Sequence, residues 1–102
     1  MVYITQLLFV KKGKESVFLE FEEQVIPLMT IHKGRVLYRI RPTKETYVSF
    51  EEELELPYEI HIVSFDTEEH FKNYLDDNRR LQFMYLKNES IKTTLTIKGE
   101  KL

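Results

Sequence analysis

Apolar and polar positions along the chain repeat one pattern: a strand-like run, an amphipathic helix-like stripe, and a second strand-like run. The first copy comprises Tyr3–Val10, Lys14–Lys33 and Arg35–Arg41. The second copy comprises Tyr58–Phe65, Thr67–Asp77 and Ile91–Lys98. A βαββαβ chain of this kind predicts an α+β fold with one antiparallel sheet and both helices on one face. The other face of the sheet then lacks a cover, which favours packing against a second copy.

The strand-like runs differ in which of their faces are apolar. Val2–Val10 is apolar on both alternating faces, which is typical of a central strand. Ile91–Lys98 alternates between apolar and polar positions and predicts an edge strand with one solvated face. The second strand, Arg35–Arg41, alternates and is expected to place on one side Arg35, Leu37, Arg39 and Arg41, and on the other side Val36, Tyr38 and Ile40.

The first helix is marked by an apolar stripe at 3.6-residue spacing. The stripe consists of Val17, Phe18, Phe21, Val25, Leu28, Met29 and His32. Pro27 lies inside this pattern and lacks the N–H that would reach the carbonyl of Glu23, which predicts a kink or a break. Gly34 occupies the position of a left-handed C-terminal cap.

The second helix is expected to begin at an Asp-x-x-Glu capping box formed by Asp66 and Glu69. Its buried stripe is predicted to consist of Phe71, Tyr74 and Leu75. The Asp-Asp-Asn run at 76–78 disfavours continuation of the helix. A second short helical piece is then expected to carry Leu81, Met84 and Tyr85.

The connection between the second and third strands, Thr43–Pro57, is unusually long for a hairpin. It contains the apolar stretch Tyr47–Phe50 and the acidic run Glu51–Glu55, which is most simply a solvated loop. The connection either extends the hairpin or reaches over a neighbouring element.

The composition narrows the class of protein. The chain has 102 residues, a net charge of −2, and 15 basic residues spread along its length, without the basic face of a nucleic-acid-binding protein. It contains no cysteine, which excludes disulfides and thiolate chemistry. Met1–Val10 does not resemble a signal peptide, and no apolar run approaches the roughly 18 residues of a membrane span. We expect one domain over residues 1–102, in the cytoplasm, with no nucleic-acid or membrane partner.

The segment Pro57–Leu95 resembles the second half of small dimeric α/β-barrel proteins. In that superfamily an apolar strand leads into an F-[DS]-x-x-E-x-F helix start, followed by Y-x-x-D-x-x-R and a short helix. The matching positions here are Phe65-Asp66, Glu68 or Glu69, Phe71, Tyr74, Asp77, and Arg79 or Arg80. Pro27 and Gly34-Arg35 are similar to the proline of the first helix and the glycine before the second strand. The resemblance leaves out only Thr43–Leu56, and it is closest to small uncharacterised bacterial members related to antibiotic-biosynthesis monooxygenases.

The resemblance implies a ferredoxin-like fold whose open sheet face packs on a second copy and closes a β-barrel. A homodimer is therefore the expected assembly. The superfamily includes cofactor-free and haem-degrading monooxygenases, small isomerases, and members without an assigned activity. This chain has no tryptophan, so the Asn-Trp-His set of the haem-degrading branch does not carry over. No cofactor is expected.

Glu59, His61 and Arg39 are the catalytic candidates. Glu59 and His61 are two residues apart on one strand, so their side chains leave the same face about 6–7 Å apart. Pairing of the second and third strands could bring Arg39 or Arg41 opposite them. A carboxylate, an imidazole and a guanidinium on one face suit an anionic or proton-transferring ligand. The alternative is a satisfied polar network at a subunit interface, in which each buried charge meets its opposite.

Arg41, Tyr38, Tyr85 and His32 are the candidates for ligand binding. Tyr38 and Tyr85 could form phenolic walls of a pocket, although aromatics at these spacings are also typical of a core. His32 ends the stripe of the first helix, where capping or packing is favoured over a role as general base. The Glu59-x-His61 pair supplies at most two ligands, so no metal site is predicted, because catalytic zinc takes three protein ligands.

Three functions fit the sequence. The first is a protein that binds a small organic molecule between sheet and helices, or a cofactor-independent enzyme of monooxygenase or isomerase type. The second is a dimeric scaffold without chemistry. The third is an RNA-recognition module, which shares the βαββαβ order, but Tyr58–Phe65 lacks the aromatic and basic pattern of that module.

Overall fold

The computed structural model describes residues 1–43, 45 and 55–102. The described residues leave out most of the Thr43–Pro57 connection, including Tyr47–Phe50 and most of the acidic run. The two courses expected for this connection therefore lie outside the described residues. The elements are β1 (Val2–Val10), α1 (Glu15–Ile31), β2 (Gly34–Ile40), β3 (Glu59–Phe65), α2 (Glu68–Leu75), α3 (Asn78–Leu81), α4 (Met84–Ser90) and β4 (Ile91–Gly99). Within these ranges no helix is both long and apolar enough to cross a bilayer.

The strands form one antiparallel sheet in the order β2-β3-β1-β4. This is the predicted α+β arrangement, with β1 in the centre and β4 at an edge. The β-strand period of two sends alternate side chains of β3 to opposite sides. Glu59, His61, Val63 and Phe65 face the helices and are buried. The opposite side, here called the open face, carries Tyr3, Thr5, Leu7, Phe9, Tyr38, Ile40, Ile60, Ile62, Leu95 and Ile97.

The core lies between the helix-facing side of the sheet and the helices. One buried cluster consists of Ile4, Met29, Val63, Phe65 and Tyr74. A second consists of Phe21, Val25 and Leu86. The Phe65 ring lies at the centre of the first cluster, with ring centroids 5.2 Å from Phe71 and 5.4 Å from Tyr74.

Helix α1 continues through Pro27 as one element, so a break at this proline is wrong. Pro27 and Glu23 both lie on the exposed side of the helix. Water can therefore satisfy the Glu23 carbonyl that loses its intrahelical partner.

The turn after α1 differs from the prediction by one residue. Lys33, not Gly34, takes the left-handed conformation, with a φ of 59°. Gly34 begins β2, directly beneath the Phe65 ring, and a Cβ at Gly34 would lie 2.5 Å from Cε1 of Phe65. The glycine is required by this close approach of backbone to ring, not by its backbone angles.

Helix α2 also starts one residue later than expected. Thr67 is the N-cap, and its hydroxyl accepts a hydrogen bond of 3.1 Å from the backbone N–H of His70. Asp66 instead accepts a hydrogen bond of 3.1 Å from Nη2 of Arg35. The predicted Asp66–Glu69 capping box is therefore wrong, because the Asp66 carboxylate pairs with Arg35 of β2.

The expected short helical piece is two helices, α3 and α4. Leu86 is the buried apolar residue of α4, whereas Leu81 and Tyr85 are exposed.

Strand β2 contains a bulge that breaks the expected alternation. Val36 pairs with Val63 and Tyr38 pairs with Ile62, so Leu37 is an extra residue. Past the bulge, Arg39 joins Val36 on the helix-facing side. The sequence expectation that Val36 shares a side with Tyr38 and Ile40 is therefore wrong.

We expect Gly34→Ala to lower the free energy of unfolding by about 1–3 kcal/mol, because the added methyl overpacks the Phe65 ring. The matched control is Gly99→Ala, where a Cβ meets nothing within 4 Å. Urea denaturation of both variants measures the difference. Adding Phe65→Leu to Gly34→Ala should recover part of the loss, and equal stability of the two alanine variants would contradict the steric explanation.

Candidate functional site

A cavity of about 250 Å³ lies between the helix-facing side of the sheet and the helices. Its apolar walls come mainly from α1, α2 and the central strands, and include Phe18, Phe21, Val25, Val63, Phe65 and Leu75. Its polar lining consists of Gln6, Glu22, His61, Tyr74, Arg80, Lys87 and Thr96. Mostly apolar walls with a few polar groups are typical of sites that bind small organic molecules.

Glu22 and His61 are the acid–base groups that line the cavity. His61 faces the helices because it alternates with the buried residues of β3. Glu22 faces the sheet because it lies one helical turn from Phe18 and Val25 on the buried side of α1. His61 Nε2 lies 2.7 Å from Oε2 of Glu22, and both residues are buried.

A second carboxylate, Glu59, contacts His61 but does not line the cavity. His61 Nε2 is hydrogen-bonded to Oε1 of Glu59. Arg39 bridges the two carboxylates: its Nε donates to Glu59, and its Nη2 donates to Oε1 of Glu22 over 2.7 Å. Nη2 of Arg41 donates to Oε2 of Glu59 over 2.9 Å, and its guanidinium lies 4.2 Å from the centre of the Tyr58 ring.

The structure thus brings together four of the residues singled out in the sequence, namely Glu59, His61, Arg39 and Arg41. We call these four residues with Glu22 the charge cluster. Only Glu22 and His61 line the cavity. The two arginines are about half exposed and connect the buried carboxylates to solvent.

Burial and charge pairing shift the proton affinities within the charge cluster. Burial raises the pKa of Glu22, and this effect outweighs the opposing contribution of His61. Burial also disfavours the charged forms of Glu59 and His61, but their partners outweigh it. His61, Arg39 and Arg41 hold the pKa of Glu59 well below its usual range. The Glu22 and Glu59 carboxylates raise the pKa of His61 to about 9, so its ring is an imidazolium at neutral pH.

One oxygen of Glu22 is left over in this network. The Nε2–H of His61 makes its hydrogen bond to Glu59, and Arg39 uses the other oxygen of Glu22. Oε2 of Glu22 therefore has an ion-pair contact but no hydrogen-bond partner among the described residues. A buried carboxylate oxygen without a hydrogen bond is costly, and the imidazolium of His61, 2.7 Å away, offsets part of this cost.

Glu22 was missed in the sequence analysis because only the apolar residues of the first helix and His32 were counted in its stripe. Its spacing from Phe18 and Val25 places it within the apolar stripe, and a charge at such a position is the signal that could have identified it.

Three of the predicted ligand-binding residues lie elsewhere. Tyr38 is on the open face, across the sheet from the cavity, because of the bulge at Leu37. Tyr85 is 61% exposed on α4 and does not line the cavity. The expectation that these tyrosines wall the same pocket as His61 is therefore wrong.

His32 is also outside the site, at the C-cap position of α1. Its Nε2 lies 2.7 Å from Oδ2 of Asp77, and its ring is edge-on to Tyr74. Arg79 and His32 together hold the pKa of Asp77 below its usual range. These contacts agree with the capping and packing interpretation of His32.

The described residues contain one group of potential metal ligands: donor atoms of Glu22, Glu59 and His61 lie within 4.8 Å of one another. The sequence-based limit of two ligands is wrong, since Glu22 supplies a third. A cation here would compete with the proton of His61 and with Arg39, which already neutralise the carboxylates. A metal ion could bind here only if His61 lost its proton and the pairing with Arg39 were weakened.

Comparison with solved structures finds the same fold. A protein of unknown function from Rhodopseudomonas palustris has a TM-score of 0.85 at 9% identity, over 99% of this chain and 82% of that chain. A dimeric protein of unknown function and ferredoxin-like fold from Bacteroides fragilis has a TM-score of 0.72 at 15% identity, over 98% and 95%. A Nitrosomonas europaea protein, provisionally named an antibiotic biosynthesis monooxygenase, has a TM-score of 0.75 at 9% identity, over 100% and 99%.

No family model and no curated protein matches the chain. At identities this low the likeness establishes the fold, and it confirms the predicted ferredoxin-like βαββαβ arrangement.

The charge cluster makes stability depend on pH. Because the pKa of His61 is raised from 6.5 to about 9, its stabilising charge is fully present below pH 6.5 and is lost as the pH rises through 9. Glu59 is ionised throughout this window and does not contribute to the change. We expect the free energy of unfolding to fall by on the order of 2–3 kcal/mol between about pH 6.5 and about pH 9.5.

Urea denaturation at fixed protein concentration measures this fall. His61→Gln should remove most of it, whereas the control His70→Gln should retain it, because His70 lies outside the charge cluster. An equal fall in His61→Gln would show that another group is responsible.

Proposed function

We propose that this protein binds a small organic molecule in the cavity and that Glu22 exchanges a proton with it. The observation that carries the proposal is Oε2 of Glu22, which is buried, belongs to a cavity-lining residue, and lacks a hydrogen bond among the described residues. A base in this position meets a bound ligand between mostly apolar walls, and its efficiency in proton transfer depends on its pKa.

The raised pKa of Glu22 makes its carboxylate a stronger base than one in water. The imidazolium of His61, whose Nε2 lies 2.7 Å from Oε2, opposes this rise in pKa and favours the ionised form of Glu22. Glu59 and Arg39 act as positioning residues, since they hold the ring of His61 and the other oxygen of Glu22.

The reaction class is proton transfer at carbon. A C–H bond of the ligand breaks, its proton moves to Oε2 of Glu22, and the electron pair enters an adjacent carbonyl as an enolate. Return of the proton to a different carbon completes an isomerisation. The step consumes no other reactant, and it corresponds to the isomerase-like alternative considered from the sequence.

A small unsaturated ketone tests this function. 3-Cyclohexenone isomerises to 2-cyclohexenone by this proton movement, and the product is followed by ultraviolet absorbance. We expect the protein to accelerate the reaction over buffer and Glu22→Gln to reduce the acceleration about 100-fold or more, because the amide cannot accept the proton.

The control is Glu89→Gln, which removes an exposed carboxylate paired with Lys14 and should leave the rate unchanged. Absence of any acceleration by the wild-type protein, or an acceleration that survives Glu22→Gln, would overturn the proposed function.

We further propose that the open face is the interface of a homodimer. Its apolar side chains are exposed: Tyr38 by 62%, Ile40 by 49%, and Leu95 and Ile97 by 51% each. On β4 the apolar alternation points to this face, while Thr94, Thr96 and Lys98 lie on the helix-facing side. A contiguous apolar sheet face is typical of protein–protein contact. The Bacteroides fragilis protein of the same fold is dimeric, which supports the proposal.

Leu95→Lys should convert the dimer to a monomer, because it places a charge within the apolar contact while the side chain is already exposed in one subunit. Leu81→Lys is the matched control: it changes a leucine of similar exposure on α3, away from the open face. Sedimentation at micromolar concentration distinguishes the species. A wild-type protein that sediments as a monomer would contradict this assembly.

A further inference from the structure

Two adjacent arginines on α3 differ in their exposure and in their hydrogen-bond partners. Arg79 faces outward and forms a two-pronged pair with Asp77, with Nε–Oδ1 and Nη2–Oδ2 separations of 3.0 and 2.7 Å. Arg80 turns inward, is 9% exposed and lines the cavity. Its Nη1 donates to the carbonyl of Leu75 over 3.2 Å, and its guanidinium lies 5.2 Å from the centre of the Tyr74 ring.

The Nε of Arg80 has no hydrogen-bond partner among the described residues. This N–H is buried, and leaving it unpaired costs the full desolvation of a donor on a charged group. A carbonyl and an aromatic ring do not neutralise a guanidinium. The guanidinium of Arg80 can therefore donate to a further hydrogen-bond acceptor.

Lys87 on α4 supplies a second cation to the same cavity. Burial lowers the pKa of Lys87, and the nearby charge of Arg80 lowers it further. Over the part of the chain that the structure describes, no carboxylate forms an ion pair with Arg80 or Lys87. The carboxylate of Glu22, in the same cavity, is already neutralised by Arg39 and His61.

A buried and a partly buried cation without an ion-paired carboxylate among the described residues are expensive, since a buried charge needs its opposite. An anionic group on the ligand would remove this cost, and the enclosed setting would make the resulting hydrogen bonds strong.

We propose that the ligand of the cavity is a small carboxylic acid whose carboxylate is bound by Nε of Arg80 and Nζ of Lys87. This inference rests on the proposed function and names its substrate class: an organic anion with a carboxylate at the two cations and an acidic C–H within reach of Glu22. Glu22 then acts on a molecule that the arginine and the lysine select and orient.

Benzoate and its neutral analogue benzamide test the selection, because they have nearly the same size. Binding to the full chain is measured at pH 7 by titration calorimetry and by amide shift changes in nuclear magnetic resonance spectra. We expect benzoate to bind about tenfold or more tightly than benzamide, in line with charge-assisted hydrogen bonds.

Arg80→Met should abolish the preference for benzoate while changing benzamide affinity little. Lys87→Met should reduce the preference, and it provides an independent arm if Arg80→Met does not fold. The matched control is Arg79→Met, which removes the neighbouring arginine from the outside and should leave the preference intact.

The outcomes separate the two proposals. Equal binding of benzoate and benzamide would overturn the carboxylate site and leave the small-molecule cavity standing. Binding of neither compound would overturn the carboxylate site, and the cyclohexenone assay would then decide whether the proposed function stands. A benzoate preference that survives Lys87→Met and Arg80→Met would place the anion elsewhere and overturn the assignment.

Discussion

The rest of the structure depends on the mutual neutralisation of charges buried between α1 and the sheet. Glu22 and Glu59 could not be buried without His61 and Arg39, because an isolated carboxylate in such surroundings is strongly disfavoured. The partners come from three elements, α1, β2 and β3. Apolar packing and charge pairing therefore impose the same alignment of the helix on the sheet, and a shift of α1 by one turn would lose both.

The same cluster divides the site into an inner and an outer part. Glu22 and His61 line the cavity, while Arg39 and Arg41 remain half exposed at the outer edge. The outer cations are always charged, so they influence the inner carboxylates without taking up or releasing protons. Within the charge cluster, Glu22 and His61 are the titratable groups that line the cavity. The cations at Arg80 and Lys87 are separate from this network and have no carboxylate partner among the described residues.

The sequence predicted the element order, the central position of β1 and the edge position of β4 from hydrophobic periodicity alone. It also placed Glu59 and His61 on one side of the sheet and allowed Arg39 or Arg41 to lie opposite them. The details that were wrong all depend on tertiary contacts. Lys33 takes the positive φ while Gly34 is required by the close Phe65 ring, and Thr67 caps α2 while Asp66 pairs with Arg35. The local pattern of apolar and polar residues does not show these two contacts. It does not show the burial of Arg80 either.

The bulge at Leu37 has a consequence for recognising distant relatives. The inserted residue shifts the alternation of side chains along β2. Val36 and Arg39 therefore both face the helices although they are three positions apart in the sequence. A protein that lacks the insertion would need its bridging cation one place earlier in an alignment to reach the same two carboxylates. A position-by-position alignment would score the two arginines as a mismatch, although both would neutralise the same two carboxylates.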